Sequence, residues 1–96
     1  MVTGEMTIEI SILRNNKDVI GRGRITEDVI HDLDVELKYR RHGIATEIVR
    51  KLIGLGGRQL FVHVKNMPAI RLYQKCGFEI VDEADGFYKM RLMGGE

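Results

Sequence analysis

The sequence predicts an α/β protein (α+β in some schemes) with a mixed central sheet and the element order β-β-β-α-β-α-β-β. Three observations support this class. Six short segments alternate apolar and polar residues, which is typical of half-buried strands. Two other segments have the apolar period of an amphipathic helix. A strand, helix, strand unit in the middle predicts a right-handed parallel crossover, and the strands on either side of it are predicted to form hairpins.

The first half of the chain contains three strands and a helix. Residues 6–13 (MTIEISIL) alternate cleanly, and the turn sequence RNNKD joins them to a second strand, VIGRGRI. Residues 28–37 (DVIHDLDVEL) are predicted as a third strand. After Gly43 the pattern becomes helical, and the glycines of GLGG end the helix. The predicted apolar stripe of this helix consists of Ile44, Ala45, Ile48, Val49, Leu52 and Ile53.

The second half contains a strand, a helix and a hairpin. RQLFVHVK is predicted as a short strand with Leu60, Val62 and Val64 on one face. Asn66 is suited to cap a second helix, Pro68 is tolerated in its first turn, and Gly77 ends it. FEIVDEA and FYKMRLM are two strands joined across Asp85-Gly86, a strong hairpin signal. The apolar stripe of the second helix is predicted to be Ala69, Leu72, Tyr73 and Cys76.

Composition narrows the class of protein. With 96 residues, of which 44% are apolar and 30% charged, we expect a single domain over residues 1–96, with roughly 1–5 and 94–96 frayed. The net charge of +1 gives no support for nucleic acid or a membrane as a partner. One cysteine cannot form an internal disulfide, no apolar run approaches the roughly 20 residues of a membrane span, and the polar start lacks a signal-peptide apolar region. These features predict a cytoplasmic protein.

The segment YRRHGIATEI, residues 39–48, has the features of an anion site. It lies where a strand ends and a helix begins, and the first N–H groups of a helix have no internal partner. Gly43 lets the backbone approach a ligand, and Ala45 keeps the first turn narrow. Arg40 and Arg41 add charges whose planar donors match phosphate oxygens. On these residues alone, a phosphate cradle and an ordinary helix start on a charged surface both remain open.

Together with a second segment, this stretch resembles the GNAT superfamily of acetyl-CoA-dependent N-acetyltransferases. The family signature is Arg or Gln, two residues, Gly, one residue, then Gly or Ala, and residues 40–45 (RRHGIA) satisfy it. Leu33 and Val35 at a strand end, and Tyr39 before the loop, also fit. The resemblance extends over residues 6–93. The second signature, within NMPAIRLYQKCGF, consists of Asn66, Ala69, Leu72-Tyr73 and Gly77-Phe78.

Three features depart from the family pattern. The family normally begins with another strand and two helices, for which this chain has no room, so we expect a short form that lacks them. Leu37 stands where a proline is common, and Ala45 replaces the third glycine, which the family allows. The N-terminal part usually helps to form the acceptor side of the cleft. Its expected absence leaves the acceptor open, and a second copy in a homodimer could close the cleft.

The resemblance implies that acetyl-CoA is bound as a co-substrate and that no metal is needed. The strands on either side of the first helix would separate, and the pantetheine arm would lie between them. The loop amides would hold the pyrophosphate, and the start of the second helix would contact the arm. The cofactor-binding residues that the resemblance implies are Leu33, Val35, Arg40, Arg41, His42, Gly43, Ile44, Ala45, Thr46, Asn66 and Tyr73.

The resemblance also implies direct transfer of the acetyl group to a primary amine in a ternary complex, with no acyl-enzyme. Tyr73 matches the usual acid of the family, and a phenol with a pKa of about 10 can protonate the departing thiolate. The alternative role for Tyr73 is a core aromatic. His31 lies on the same strand as Val35 and, by alternation, on the same face, and an imidazole can accept a proton near neutral pH. Glu36 or Asp34, acting through water, is the rival base.

Two other functions remain open. An acyl-CoA-binding regulatory module without turnover would bind the same coenzyme but release no thiol. A nucleic-acid-binding module would use Arg22, Arg24 and the basic loop, although the acidic strand beside them argues against it. That strand is either solvated surface or a site that attracts a cationic amine. Its acidic residues are Glu27, Asp28, Asp32, Asp34 and Glu36.

The remaining candidate residues predict no further site. Cys76 is expected to be a small core residue, His42 to face solvent within the loop, and His63 to lie on the surface. Three scattered histidines and one cysteine do not have the spacing of a metal site. GRGR at residues 21–24 lacks the strand-to-helix context of a dinucleotide fingerprint.

Overall fold

The computed structural model describes residues 6–93, and within them the predicted element order is confirmed. The strands are β1 (Thr7–Arg14), β2 (Asp18–Thr26), β3 (Val29–Val35), β4 (Gln59–His63), β5 (Phe78–Ala84) and β6 (Phe87–Leu92). The helices are α1 (Ile44–Gly54) and α2 (Met67–Lys75), and a turn of 3-10 helix (Leu37–Tyr39) follows β3. Because of that turn, β3 ends two residues earlier than the predicted strand. The expected fraying of residues 1–5 and 94–96 concerns residues outside those described.

The six strands form one mixed sheet in the order β1-β2-β3-β4-β6-β5. The crossover through α1 makes β3 and β4 parallel, as predicted, and every other neighbouring pair is antiparallel. The two parallel strands pair only at Val29–Gln59 and Ile30–Leu60. Beyond these pairs, residues 31–35 of β3 and 61–63 of β4 are no longer joined. We call the opening between these two segments the strand gap, and it has the separated arrangement that the family resemblance implied.

Both helices pack on the same face of the sheet, where a single core forms. The stripe predicted for α1 is confirmed, since Ile48, Val49 and Leu52 are fully buried. In α2, Ile70 is buried as well, although the predicted stripe did not include it. The core consists of Ile25, Ile30, Val35, Ile48, Val49, Leu52, Leu60, Val62, Ile70, Tyr73, Phe78 and Met90. We call this side of the sheet the helix face.

Neither helix covers the opposite side of the sheet, which we call the outer face. Cross-strand partners in a sheet share a face, so the register identifies the residues on this side. The half formed by β1, β2 and β3 is mostly polar, apart from apolar residues such as Leu13 and Val19, and the half formed by β4, β6 and β5 carries two phenylalanines. Outer-face residues include Glu9, Arg22, Arg24, Thr26, His31, Asp34, Phe61, His63, Asp82, Phe87 and Lys89.

The glycines of the GRGR segment allow α1 to lie directly against β2. A Cβ atom on Gly23 would lie 2.8 Å from Cγ2 of Ile48 and 3.0 Å from Cδ1 of Leu52. A Cβ on Gly21 would lie 3.0 Å from Cγ2 of Ile44. Such separations are shorter than van der Waals contact, so no side chain fits between this helix and this strand. The two glycines therefore set how close α1, and the loop before it, come to the sheet.

Replacing Gly23 by alanine is expected to lower the free energy of unfolding by about 1–3 kcal/mol, because the added methyl group overpacks the interface between α1 and β2. The matched control is Gly54→Ala at the end of α1, where a Cβ meets no atom within 4 Å. That variant is expected to be neutral or slightly more stable, since alanine favours a helix over glycine. Urea unfolding followed by circular dichroism measures both changes. Equal midpoints for the two variants would contradict this account of the glycines.

Candidate functional site

The loop between β3 and α1 presents consecutive backbone N–H groups that have no acceptor in the described part of the chain. Gly43 is the N-cap of α1, and the Glu47 amide is the first to donate within the helix, at 3.0 Å to the Gly43 carbonyl. Within residues 6–93, the amides of residues 41–46 donate no backbone hydrogen bond. The positive end of the α1 dipole lies at the same place. This arrangement of free donors suits a phosphate or another compact anion.

The loop backbone adopts two left-handed residues within three positions. Gly43 has φ 79° and Arg41 has φ 70°. For a residue with a side chain, this conformation costs roughly 1 kcal/mol, so Arg41 is held there by the surrounding chain. A Cβ on Gly43 would meet no atom within 4 Å and would project into open space. Glycine is therefore favoured at 43 by the backbone conformation and not by crowding from the protein.

Arg40 ties the loop to the end of β3. Its Nε atom donates a hydrogen bond of 3.0 Å to the Val35 carbonyl. The guanidinium that the sequence predicts to bind phosphate is therefore partly engaged within the protein. The bond fixes the distance between the strand gap and the free amides. Arg40 therefore has a positioning role, which no sequence pattern indicated.

Substitution of Arg40 by methionine is expected to lower the free energy of unfolding by about 1 kcal/mol, because a partly buried hydrogen bond from a charged donor is lost. Arg41→Met is the matched control: the guanidinium of Arg41 makes no hydrogen bond or ion pair within residues 6–93 and should change stability by less than about 0.5 kcal/mol. Chemical denaturation of both variants measures the difference. Equal losses would show that the bond from Arg40 to Val35 does not stabilise the fold.

A β-bulge in β3 reverses the face of its first residues. Arg24 pairs with His31 and Gly21 pairs with Val35, and the register shifts between Arg22 and Arg24 because β3 contains one extra residue. Since Arg24 and Gly21 are three residues apart on β2, their partners lie on opposite faces. The prediction that His31 shares the face of Val35 is therefore wrong. Alternation counted along an unbroken strand cannot register the bulge, which is centred on Asp32 with φ 55°.

On the outer face, His31 belongs to a hydrogen-bonded polar network. Its Nε2 atom lies 2.8 Å from Oγ1 of Thr26, and its Nδ1 atom lies 3.0 Å from Oδ2 of Asp32. Arg24 reaches the same Asp32 oxygen at 3.3 Å and donates through Nε to Glu9 at 2.9 Å. The hydrogen bond from Arg24 also holds the pKa of Glu9 below its usual range. Both imidazole nitrogens are thus engaged.

The same network bears on two predictions about charge. Asp32, one of the acidic residues expected to attract a cationic amine, is already paired with Arg24 and His31. Arg24, one of the arginines of the nucleic-acid alternative, is paired with two carboxylates. The Asp32 carboxylate is therefore not free to attract an amine, and the Arg24 guanidinium is not free to bind a nucleic acid.

Tyr73 lies on the helix face, in the same core cluster as Val35 and Val62 beside the strand gap. It is 8% exposed and its ring packs edge-on against Phe78, with the ring centroids 6.2 Å apart. Within residues 6–93 its hydroxyl makes no hydrogen bond, and no buried side-chain polar atom lacks a partner, so the hydroxyl reaches solvent. Burial raises the pKa of this phenol above its ordinary value. The structure therefore combines a core ring with a free hydroxyl.

Asn66 begins α2 as predicted, and its side-chain oxygen accepts a hydrogen bond of 3.3 Å from the Ala69 amide. This confirms the predicted cap and leaves the side-chain NH₂ group to a ligand. Asn66 and Gly43 start the two helices that follow the strands of the gap. The start of the second signature, at Asn66, therefore lies at the same end of the sheet as the first signature, at residues 40–45.

The other candidate residues lie outside the strand gap or on the surface. Glu36 borders a cavity of about 370 Å³ that is also lined by Arg14, Lys17, Lys38 and Tyr39. His42 and His63 are exposed. Cys76 is half-buried, and burial raises the pKa of its thiol, which fits the predicted core residue. No group of three or more potential metal ligands occurs within residues 6–93.

Two features of this end of the sheet were missed by sequence reasoning. One is the contact between Arg40 and Val35, for which no local pattern exists. The other is a cavity on the outer face that is lined by Phe61 and Phe87. The sequence contained one indication of this cavity, because Phe61 occupies a position in RQLFVHVK where the alternation predicts a polar residue. In the described part of the chain, neither helix is long and apolar enough to cross a membrane.

The chain matches the Acetyltransferase (GNAT) family over residues 7–78. Its fold is similar to that of PH1933 from Pyrococcus horikoshii OT3, at 23% identity and a TM-score of 0.69, covering 77% of this chain and 57% of that one. It is also similar to the PaiA N-acetyltransferase from Thermoplasma acidophilum in complex with coenzyme A, at 17% identity and a TM-score of 0.73, covering 88% of this chain and 58% of that one. This chain thus covers less than two thirds of either protein.

A third similar fold is that of Arabidopsis thaliana NAA60 in complex with a bisubstrate analogue, at 20% identity and a TM-score of 0.72. That match covers 98% of this chain and 79% of NAA60. No curated protein matches the sequence. At these identities the three structures establish the fold.

Proposed function

Because the chain belongs to the acetyltransferase (GNAT) family, we propose that it is an N-acetyltransferase that transfers the acetyl group of acetyl-CoA directly to a primary amine in a ternary complex. The observation that carries this proposal is the run of free amides at residues 41–46, next to the strand gap. An anion-binding loop and an opening between parallel strands together match a coenzyme that has a diphosphate at one end and a thioester at the other.

The coenzyme would be held mainly by the backbone. Amides from Arg41 to Thr46 would bind the pyrophosphate, and the Arg41 side chain would add charge. Beyond Ile30, β3 has no strand partner on the side of β4 within residues 6–93, so its backbone near Leu33 and Val35 borders the gap. The Val35 carbonyl already accepts the Arg40 bond, and the other backbone groups of this segment would pair with the amide groups of the pantetheine arm. The side-chain NH₂ group of Asn66 would reach the arm from the start of α2.

The acceptor amine would enter from the outer face. On the helix face, Leu60 and Val62 are buried in the core beneath the helices, whereas Phe61 and His63 of the same strand are exposed on the outer face. The bulge places His31 on the outer face, whereas Tyr73 lies on the helix face. An acid and a base would thus lie on opposite sides of a thioester in the strand gap.

Two proton transfers accompany the reaction. The amine nitrogen forms a bond to the thioester carbonyl carbon, and the bond from that carbon to sulfur breaks. The leaving sulfur takes a proton from the Tyr73 hydroxyl, and the nitrogen loses a proton to a base. We propose His31 as that base. Its Nδ1 atom is held by Asp32, and the hydrogen bond between Nε2 and Thr26 has to open before Nε2 can accept the proton.

Glu36, acting through water, is the rival base. It lines a cavity with Arg14, Lys17, Asp18 and Lys38, and its amide donates to the Ile20 carbonyl of β2, on the side of β3 away from the strand gap. This placement favours His31. The variants His31→Gln and Glu36→Gln separate the two, because only loss of the base removes the acid limb from the dependence of kcat/KM on pH.

Calorimetry with acetyl-CoA, followed by a screen of amines for the release of free thiol, tests the proposed function. We expect binding at micromolar to submillimolar acetyl-CoA and thiol release that depends on an amine. Absence of binding at millimolar acetyl-CoA would refute the proposal. Binding without amine-dependent thiol release would instead indicate the regulatory CoA-binding module.

A further inference from the structure

A cavity of about 420 Å³ lies on the outer face, over β4, β6 and β5. This size is within the range of sites that bind small molecules. Its lining is apolar on the side of β4 and β6 and acidic on the side of β5 and the turn that follows it. The lining residues are Phe61, Phe87, Lys89, Asp82, Glu83, Ala84 and Asp85.

Two phenyl rings form the apolar side of the cavity. Phe61 is 57% exposed and Phe87 is 45% exposed, although both stand on neighbouring strands whose outer-face positions are otherwise polar. His63 packs edge-on against Phe87, with the ring centroids 5.4 Å apart. One exposed aromatic ring is common on protein surfaces, but two that line the same cavity are typical of a site for an apolar group.

Carboxylates form the other side of the cavity. Asp82, Glu83 and Asp85 face a single cation, Lys89. Within residues 6–93, no ion pair joins these carboxylates to a base, whereas Asp32 on β3 is paired with Arg24. The acidic side therefore has the charge to attract a cation from solution.

The cavity begins at the strand gap. Phe61 is the first residue of β4 beyond the last parallel pair, Ile30–Leu60, so it borders the gap on the outer face. From there the sheet continues to β6 and then to β5. Since neighbouring strands lie about 4.8 Å apart, the acidic residues of β5 are about 12 Å from the middle of the strand gap. An ammonium nitrogen lies about 3 Å from the carboxylate that binds it, which leaves about 10 Å between the two amines, the length of roughly eight methylene groups. The phenyl rings lie between the gap and these acids.

From this order of groups we infer that the acceptor is a small diamine with an apolar spacer of about 10 Å. One amine enters the strand gap and is acetylated, the spacer covers Phe61 and Phe87, and the second ammonium binds at Asp82 and Asp85. The inference rests on the proposed function, because that function places the thioester in the gap. It adds the chemical class of the acceptor and the residues that select it.

Three amines test the inference. Octamethylenediamine has the predicted spacer and two cations, octylamine has the same chain with one cation, and trimethylenediamine has two cations and a short spacer. We expect kcat/KM for octamethylenediamine to exceed that for octylamine by about tenfold, and that for trimethylenediamine to be lower than both.

The double variant Asp82→Asn with Asp85→Asn removes the charge and keeps the shape. Asparagine tolerates the left-handed backbone at 85, where φ is 55°, and retains the oxygen at 82 that accepts the Glu83 amide at 2.8 Å. The ratio of kcat/KM for octamethylenediamine to that for octylamine should fall to about 1, while the turnover of octylamine and the affinity for acetyl-CoA stay unchanged. Glu79→Gln, on β5 but outside the cavity lining, is the matched control and should keep the preference.

A binding measurement separates failure of this inference from failure of the proposed function. With coenzyme A present, octamethylenediamine should shift the NMR signals of the Phe61 and Phe87 rings. If acetyl-CoA binds and octylamine is acetylated, but the diamine is not preferred or the double variant keeps the preference, the inference is overturned and the function stands. If acetyl-CoA itself does not bind, the function is refuted, and diamine shifts of these rings would then report only a cation site.

Discussion

Replacing Gly43 by aspartate is expected to weaken the binding of acetyl-CoA by about 100-fold without unfolding the protein. Among residues with side chains, aspartate and asparagine best tolerate the left-handed backbone found at this position, where φ is 79°, and the new Cβ would meet no atom within 4 Å. The carboxylate would then stand beside the free amides of residues 41–46, where it competes with phosphate for the same donors and repels its charge.

Gly43→Asn is the matched control for that experiment, because it has the same shape and backbone tolerance without the charge. We expect its affinity to fall by no more than about tenfold, from the added bulk alone, so that most of the aspartate effect is electrostatic. Calorimetry with acetyl-CoA at two salt concentrations measures this, and the difference between the variants should narrow at the higher salt. Equal affinities of the aspartate and asparagine variants would show that this loop does not hold an anion.

The second large effect is expected from Tyr73→Phe, which should lower kcat by about 10²–10³-fold and leave the affinity for acetyl-CoA within about twofold. The phenylalanine keeps the ring that packs against Phe78 and removes only the hydroxyl, which makes no hydrogen bond within the described residues. The thiolate then leaves without a proton donor. Tyr88→Phe is the matched control, since Tyr88 is partly buried against the core and lies on β6, where it pairs with Val62 on the side of β4 away from the strand gap. It should keep full activity.

A change of acetyl donor distinguishes an acid at Tyr73 from a core residue. A thioester whose thiol is more acidic needs less protonation as it departs, so the loss in Tyr73→Phe should shrink with such a donor. A purely structural defect would reduce turnover of both donors alike.

The dependence of kcat on pH gives a further check of Tyr73. A general acid must be protonated to act, and burial raises the pKa of Tyr73. The wild-type kcat should therefore show no loss from its ionisation below about pH 10. A loss of kcat below that pH that is absent in Tyr73→Phe would contradict this assignment.

Local patterns of the sequence were sufficient for most of the fold. The apolar stripe of α1, the cap at Asn66 and the turn at Asp85-Gly86 each depend on residues within one or two helical turns or a single hairpin. Propensity and hydrophobic period act over that range, so they can be recognised without tertiary contacts. The signature at residues 40–45 likewise indicated the loop and the family, because a glycine at a helix start beside arginines has a local physical meaning.

The acceptor side could not be predicted in this way. His31 was assigned to the face of Val35, and the bulge at Asp32 places it on the other face. Arg40 was assigned to phosphate, and its Nε atom bonds the Val35 carbonyl. The cavity beside Phe61 joins residues of three strands that are far apart in the chain. Each of these features depends on which strand lies next to which, and alternation along one strand carries no such information.

By itself, the sequence determined the order of the elements, the helical face that is buried and the loop whose amides are left free, because short-range preferences decide these features. Only the tertiary structure decided which face of the sheet stays uncovered, which groups flank the strand gap and which charges are already neutralised. The physical reason is that the register between strands is a property of the whole sheet. A single extra residue in β3 moves a side chain from one face of the sheet to the other.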